Sequence, residues 1–250
     1  MNKEILRMRM FAGPNGSGKS TIQSMIKPDM LGIYVNPDNI EKEICEKGFL
    51  DFRTFGLPIT EKEVLSFFSS SSFLKTTHLL SSIESLKIID EKLIFHDVKI
   101  NAYFASIVAG FIRNKLIEHQ KSFSFETVMS FPDKVELLQS AQKKGYRTYL
   151  YYVATKDPFI NIFRVKYRVK MGGHFVPEDK IIARYQRSLD LLMEAVQFTN
   201  RAYIFDNSGL QPIWLAEVTD GRNLEMKTDH MPEWFKNALW NKFKAKIQNR

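Results

Sequence analysis

The sequence predicts an α/β fold in which a parallel β-sheet is flanked by helices, and three features predict it. The chain opens with a strand, a glycine-rich loop and a helix in direct succession: Ile5 to Ala12, Gly13 to Thr21, and Ser20 to Ile26. Further short apolar strands alternate with helical stretches, the pattern of a sheet covered on both faces. Several of these strands run straight into polar clusters, as at Asn36-Pro37-Asp38, Glu126-Thr127 and Asp206-Asn207. Open α/β sheets carry their ligands at that carboxyl edge.

The elements follow in order. Leu31 to Asn36 reads as the second strand, ahead of a helix over Ile40 to Lys47. From Gly48 to Asn101 the chain is rich in phenylalanine and serine (FFSSSSFLKTTHLLSS) and has no clear strand signal. A helical insertion over about 48–105 is expected there, with the run Ser69 to Ser72 read as a loop, a phosphorylation target or a helix junction. Strands are expected at Ser122 to Phe125, Thr148 to Ala154 and Arg201 to Phe205, with a helix over Lys134 to Lys144. A helical pair around Gly172-Gly173-His174 makes a lid of about 160–187, and a helical tail occupies about 230–250. The whole of 1–250 reads as one domain, and no internal repeat is visible.

Composition narrows the classes. The net charge of +8 favours anionic partners, which nucleotide phosphates or nucleic acid would satisfy. A single cysteine, Cys45, has no partner for an intrachain disulfide and fits a reducing compartment, so a cytoplasmic location is expected. Charges interrupt the first apolar run, MNKEILRMRMFAG, so no export signal is expected. The longest apolar stretch, Tyr103 to Ile112, is about half the length a bilayer needs, and no membrane association is expected. In the tail, Lys236, Lys242, Lys244, Lys246 and Arg250 alternate with Trp234, Phe235, Trp240 and Phe243. That pattern fits a helix packing its aromatic face on the body, or a single-strand binding patch.

The strongest motif is Gly13-Pro14-Asn15-Gly16-Ser17-Gly18-Lys19-Ser20-Thr21, a full match to G-x-x-x-x-G-K-[ST] between a strand and a helix. Glycines let backbone N–H groups converge on phosphate oxygens, and the helix start adds its positive dipole end. Gly13, Asn15, Gly16, Ser17, Gly18, Lys19, Ser20 and Thr21 are therefore the expected nucleotide contacts. Lys19 is expected to reach the β- and γ-phosphates of ATP, and the Ser20 hydroxyl to ligate Mg²⁺.

Four weaker signals stand around it. Asp38, after the second strand, is a candidate base for an acceptor hydroxyl, or the N-cap of the next helix. Glu126 and Thr127 stand in the polar cluster that closes the short apolar strand of Phe123 to Ser130 (FSFETVMS), at the same carboxyl edge as Asp38. They could hydrogen-bond an acceptor, Glu126 could sit in the Mg²⁺ shell, or the pair could cap the strand exit. Arg164 and Arg168 are one helical turn apart, so both guanidiniums could close on one phosphate chain; a solvated basic face is the alternative. Arg184 and Arg187 on the returning helix are further candidates, whereas Lys166, Lys170 and His174 read as solvated or capping residues. Asp206 and Asn207 belong near the nucleotide edge or to a plain turn, and although Asp206 to Gly209 fits D-x-x-G, no N-K-x-D follows to read guanine.

Together the glycine loop, NPD, FETVMS, RVKYRVKMGGHFVPEDKI, RYQRSL and the DNS turn resemble the zeta toxin family of P-loop kinases, closest to its branch with a GGH lid. The resemblance covers Arg7 to Ile40 and Asn101 to Ser208. It implies a P-loop kinase fold, ATP and Mg²⁺, and transfer of the γ-phosphoryl group to a hydroxyl. In the best-known members the acceptor is the 3′-hydroxyl of UDP-N-acetylglucosamine. It also implies Lys19 as the phosphate-binding lysine, Asp38 as the base and Glu126-Thr127 as the pair near substrate and metal. Two of Arg164, Arg168 and Arg184 would be the lid arginines, and an antitoxin a partner. Two other classes stay open: a polynucleotide 5′-hydroxyl kinase, motivated by charge and tail, and a nucleotide-dependent binding module without turnover.

Overall fold

The computed structural model describes residues 5–70, 86–95 and 101–248. The first half of the chain carries β1 (Arg7–Ala12), α1 (Lys19–Gln23), α2 (Pro28–Leu31), β2 (Ile33–Val35), α3 (Pro37–Lys47), β3 (Phe49–Asp51), α4 (Glu61–Ser70), β4 (Leu86–Ile89), β5 (Lys92–Phe95) and α5 (Ala102–Glu118). After it come β6 (Phe123–Thr127), α6 (Asp133–Lys143), β7 (Arg147–Ala154), α7 (Pro158–Lys170), α8 (Glu178–Asp190) and α9 (Leu192–Gln197). The chain closes with β8 (Arg201–Asp206), β9 (Ile213–Thr219), β10 (Asn223–Met226), α10 (Glu233–Phe235), a π-helical turn over Lys236–Trp240, and α11 (Asn241–Gln248). The fold is α/β, a mostly parallel sheet flanked by helices, as the alternating pattern led one to expect.

Two compact units share these elements, one of Met1–Gly32 with Ser122–Arg250 and one of Ile33–Lys121. In the first, the strands lie in the order β10-β9-β8-β7-β1-β6. β1 pairs in parallel with both β6 and β7, and β7 in parallel with β8, while β9 and β10 add an antiparallel edge. In β1 every residue from Met8 to Ala12 is buried, which fits a central strand covered on both faces. Parallel pairing brings the carboxyl ends of four strands to one edge: Ala12 stands opposite Thr127 and Tyr152, and Ala154 opposite Asp206.

The second unit holds the segment for which helix alone was expected, and here the structure differs. Besides α4 it contains an antiparallel sheet in the order β3-β5-β4. Ile89 pairs with Lys92, so β4 and β5 are joined by a two-residue turn, with Asp90 and Glu91 both in the left-handed region (φ 50 and 59). Two successive left-handed residues make a hairpin turn that matches strand twist. Its usual Asn-Gly signature is missing from the sequence, and strands of three or four residues are too short to display a period. The phenylalanines form this unit's core: Phe52 and Phe67 pack on Phe111, and Phe68 and Phe95 on Phe104, at ring separations of 5.4 to 5.8 Å. Such pairs add about 0.5–1.5 kcal/mol each beyond their buried area. Ser69 and Ser70 end α4, and Ser71 and Ser72 lie outside the described residues.

The stretch Tyr103 to Ile112 falls inside α5, where Phe104, Ala105, Val108, Ala109, Phe111 and Ile112 are buried. Among the described residues no helix is long and apolar enough to cross a membrane.

Candidate active site

The glycine loop leaves the carboxyl end of β1, and its geometry explains its composition. Gly13, Gly16 and Gly18 all have positive φ (142, 74 and 95). A Cβ on Gly13 would stand 2.0 Å from the Val153 carbonyl oxygen, one on Gly16 2.6 Å from that of Asn161, and one on Gly18 2.1 Å from the Asn207 amide nitrogen. Both the backbone conformation and the space exclude any side chain at these three positions.

Lys19 follows at the start of α1 and is almost fully buried. Its Nζ donates to the carbonyls of Gly13 and Pro14, each at 3.0 Å, and lies 3.8 Å from Glu126 Oε1. The other carboxylate oxygen of Glu126, Oε2, accepts from the Ser20 hydroxyl at 3.1 Å. One carboxylate at the end of β6 therefore touches both side chains that the motif assigns to phosphate and metal. Register explains this, because Phe11 stands opposite Glu126 on adjacent parallel strands. Of the readings of Glu126, the contact with Ser20 favours a place in a metal shell.

Thr127 does something different. Its hydroxyl accepts from the Met129 N–H at 3.1 Å and steadies the strand exit, where Met129 takes φ 53. Asp38 belongs to the second unit, exposed in the first turn of α3. The N-cap there is Asn36, whose side chain accepts from the Asp38 N–H at 2.8 Å, so the Asp38 carboxylate is not occupied in capping.

Arg164 and Arg168 point to different partners. Arg164 Nη2 donates to the Gly209 carbonyl at 3.2 Å, and Arg168 Nη2 to the His174 carbonyl at 3.0 Å. Gly173 packs so closely on Arg168 that a Cβ would lie 2.6 Å from its Cγ, which is why the turn needs glycine there. Burial pushes the Arg164 guanidinium below arginine's ordinary value, against the opposing pull of Asp206; arginine's high starting value keeps it charged. Arg187 lies 5.1 Å over the Phe131 ring, and Lys166 bridges α7 to α8 through Glu178 at 2.6 Å. Lys170 and His174 are exposed and Arg184 is half-buried.

Asp206 is a structural anchor. It is 2% exposed and accepts from the Ser208 N–H and hydroxyl at 2.8 and 2.9 Å and from the Trp234 indole N–H at 2.6 Å. Trp234→Phe removes one donor from this buried carboxylate and should cost about 1–3 kcal/mol. Urea unfolding should show a lower midpoint at unchanged slope, and an unchanged midpoint would contradict the anchor. Trp234, Phe235 and Phe243 are buried while Lys236, Lys242 and Lys244 are exposed, so the tail packs its aromatic face and solvates its basic one. Three of the four rings that motivated the polynucleotide reading are thus buried, while Trp240 is half-buried with Lys244 Nζ 4.5 Å over its ring.

Two side chains that the sequence did not single out as loop contacts complete the site. Asn161, in the first turn of α7, donates from Nδ2 to the Asn15 carbonyl at 2.7 Å and accepts from the Thr155 hydroxyl. Asn207, just past β8, donates from Nδ2 to the Ser17 carbonyl, also at 2.7 Å. The Ser17 hydroxyl and Asn15 Oδ1 are buried without a hydrogen-bond partner among the described residues.

A family model described as Zeta toxin matches residues 98–219 of this chain. This segment, just under half of the chain, is similar to the zeta toxin family. It contains Glu126, Thr127, Asn161, Arg164, Arg168 and Asn207, whereas the loop Gly13–Thr21 precedes it and stands on its own motif and geometry. Solved structures share the fold. The PezAT chromosomal toxin-antitoxin system of Streptococcus pneumoniae matches with TM-score 0.50 and 13% identity, over 99% of this chain and 85% of that one. AvrRxo1-ORF1:-ORF2 with ATP matches with TM-score 0.53 and 13% identity, over 89% of this chain and 61% of that one. At such identities the likeness is one of fold. A Haemophilus influenzae protein described as uncharacterized is 33% identical over 69 residues, 28% of this chain. The chain spans about half the length of this curated relative.

Proposed function

We propose that this chain transfers the γ-phosphoryl group of ATP to a hydroxyl of a small molecule, as its likeness to the zeta toxin family suggests. The observation that carries the proposal is the meeting of Lys19, Ser20 and Glu126 at the glycine loop. A nucleotide-binding loop alone needs the lysine and the hydroxyl; a carboxylate set against both fits a site that handles a metal and a transferred phosphoryl group.

The residues present suit these ligands. Buried, unpartnered Ser17 Oγ and Asn15 Oδ1 sit in a loop whose glycines leave room only for backbone. Ser20 Oγ and Glu126 Oε2 are hard oxygen donors of the type Mg²⁺ takes. Held by Ser20 and Glu126, Mg²⁺ would neutralise the charge developing on the phosphoryl oxygens. Lys19 adds a fixed ammonium on the same oxygens, at no reorganisation cost because its position is already set by two carbonyls.

The acceptor oxygen attacks the γ-phosphorus, the bond from that phosphorus to the β–γ bridging oxygen breaks, and ADP leaves. Asp38, by its match to the family's acidic residue, takes the acceptor's proton. Arg164 and Arg168 supply positive charge from the lid as it closes. By resemblance the acceptor is a UDP-amino sugar such as UDP-N-acetylglucosamine, the reaction is cytoplasmic, and the chain is the toxin of a pair restrained by an antitoxin, as in the PezAT system.

A panel of UDP-sugars incubated with the chain and Mg-ATP, read by mass spectrometry, tests this. A phosphorylated sugar nucleotide that disappears with Asp38→Ala is expected. ADP release that ignores every sugar opposes the acceptor assignment, and nucleotide binding without any turnover favours a binding module.

A further inference from the structure

A trans peptide is rigid and planar, with its C=O and the following N–H pointing in opposite directions. Whatever draws a carbonyl to one side of a loop therefore turns the next residue's N–H to the other. In the glycine loop two side-chain amides do this: Asn161 holds the carbonyl of Asn15, and Asn207 holds that of Ser17. The N–H groups turned the other way are those of Gly16 and Gly18, both at positive φ.

Neither asparagine is adventitious. Asn161 is fully buried and Asn207 is 7% exposed. Each is fixed in turn, Asn161 by the Thr155 hydroxyl and Asn207 by its backbone N–H to the Ala154 carbonyl at 2.8 Å. Both press on the loop's glycines, Asn161 through its backbone against Gly16 and Asn207 through its amide against Gly18. The two anchors arise from the ends of different strands, β7 by way of α7 and β8 directly, so the loop is gripped from two sides of the sheet edge.

We propose that Asn161 and Asn207 are positioning residues that hold the Gly16 and Gly18 amides toward the nucleotide phosphates; this rests on the phosphate-binding reading of the loop. Asn161 belongs to the lid helix, and Arg164, one turn further along, bonds the Gly209 carbonyl beyond β8. The start of α7 is thus tied both to the phosphate loop and to the turn beyond β8.

Calorimetric titration of Mg-ADP and Mg-ATP into the full chain tests the proposal with Asn161→Leu and Asn207→Leu, which keep bulk and lose the donor. Each should weaken the nucleotide by about tenfold, the share of one buried hydrogen bond, while binding stoichiometry stays at one per chain and the acceptor KM is unchanged. A fall in stoichiometry with unchanged Kd marks a folding role only and overturns the proposal, as does wild-type Kd in both variants. Should a leucine variant not fold, Asn161→Ser and Asn207→Ser, too short to reach the carbonyls, are held to the same outcomes. If the wild-type chain binds neither nucleotide, the phosphate reading itself falls and the brace with it; wild-type binding with insensitive variants sinks the brace alone.

Discussion

Replacing Lys19 with alanine lowers kcat/KM for phosphoryl transfer by about a thousandfold, the scale expected when a preorganised charge is removed from a transferring phosphoryl group. The ammonium is nearly buried and oriented by the Gly13 and Pro14 carbonyls, so neither water nor a neighbouring side chain can replace it. Removing it also removes the ammonium 3.8 Å from Glu126 Oε1. Because that could loosen the loop, Lys19→Met, which keeps the aliphatic stem, is measured beside it. Both variants should lose turnover, and Lys19→Met should keep the melting temperature within a few degrees of wild type. A Lys19→Met enzyme with wild-type turnover would contradict the role. The same substitution tests the toxin reading: growth arrested by the wild-type chain should be restored by Lys19→Ala, and unaffected growth under wild-type expression opposes that reading.

Glu126→Gln is expected to have the next largest effect, a loss of about a hundredfold in kcat. The amide keeps an oxygen that can accept from Ser20 but carries no charge for a cation. The discriminating measurement is the dependence of rate on Mg²⁺: the half-saturating concentration should rise severalfold and excess Mg²⁺ should restore part of the rate. If the acceptor KM changes instead and the Mg²⁺ dependence does not, Glu126 contacts the acceptor. Unchanged kinetics in every respect would remove it from the site.

Much of this site was legible in the sequence because its chemistry is local. The spacing from Gly13 to Thr21 is contiguous, and the positive φ of Gly13, Gly16 and Gly18 is a demand of their own backbone. Glu126 was found because a polar residue closing an apolar strand must sit at the sheet's carboxyl edge. What could not be read is nonlocal. Asn161 lies 146 residues from Asn15, and Asn207 lies 190 from Ser17, so no pattern along the chain connects them. The only signal was positional, an asparagine next to a strand end or a helix start, and that also describes many turns. The same blindness applied to Asp206, whose buried partner Trp234 looked like part of a basic tail.

Arg164 and Arg168 show the limit of helical spacing as an argument. One turn apart, they share a side of α7, yet each finds a different carbonyl because the chain folds back at Gly172-Gly173 over one and not the other. Asp38 shows the converse. Its place before a helix made it look like a cap, but Asn36 takes that role and leaves the carboxylate for other work. In the second unit, burial of phenylalanines rather than strand period decides the fold, and the β4–β5 turn uses Asp90-Glu91 in place of the residues that usually announce a hairpin.

The most direct test of phosphoryl transfer to a hydroxyl is to incubate the chain with Mg-ATP carrying ¹⁸O in its γ-phosphoryl group and a small-molecule extract, and to follow the label by mass spectrometry. A new phosphorylated metabolite bearing the labelled phosphoryl oxygens, absent with Lys19→Ala, is the predicted result. Label recovered only in inorganic phosphate, or ATP left unconsumed, would contradict it.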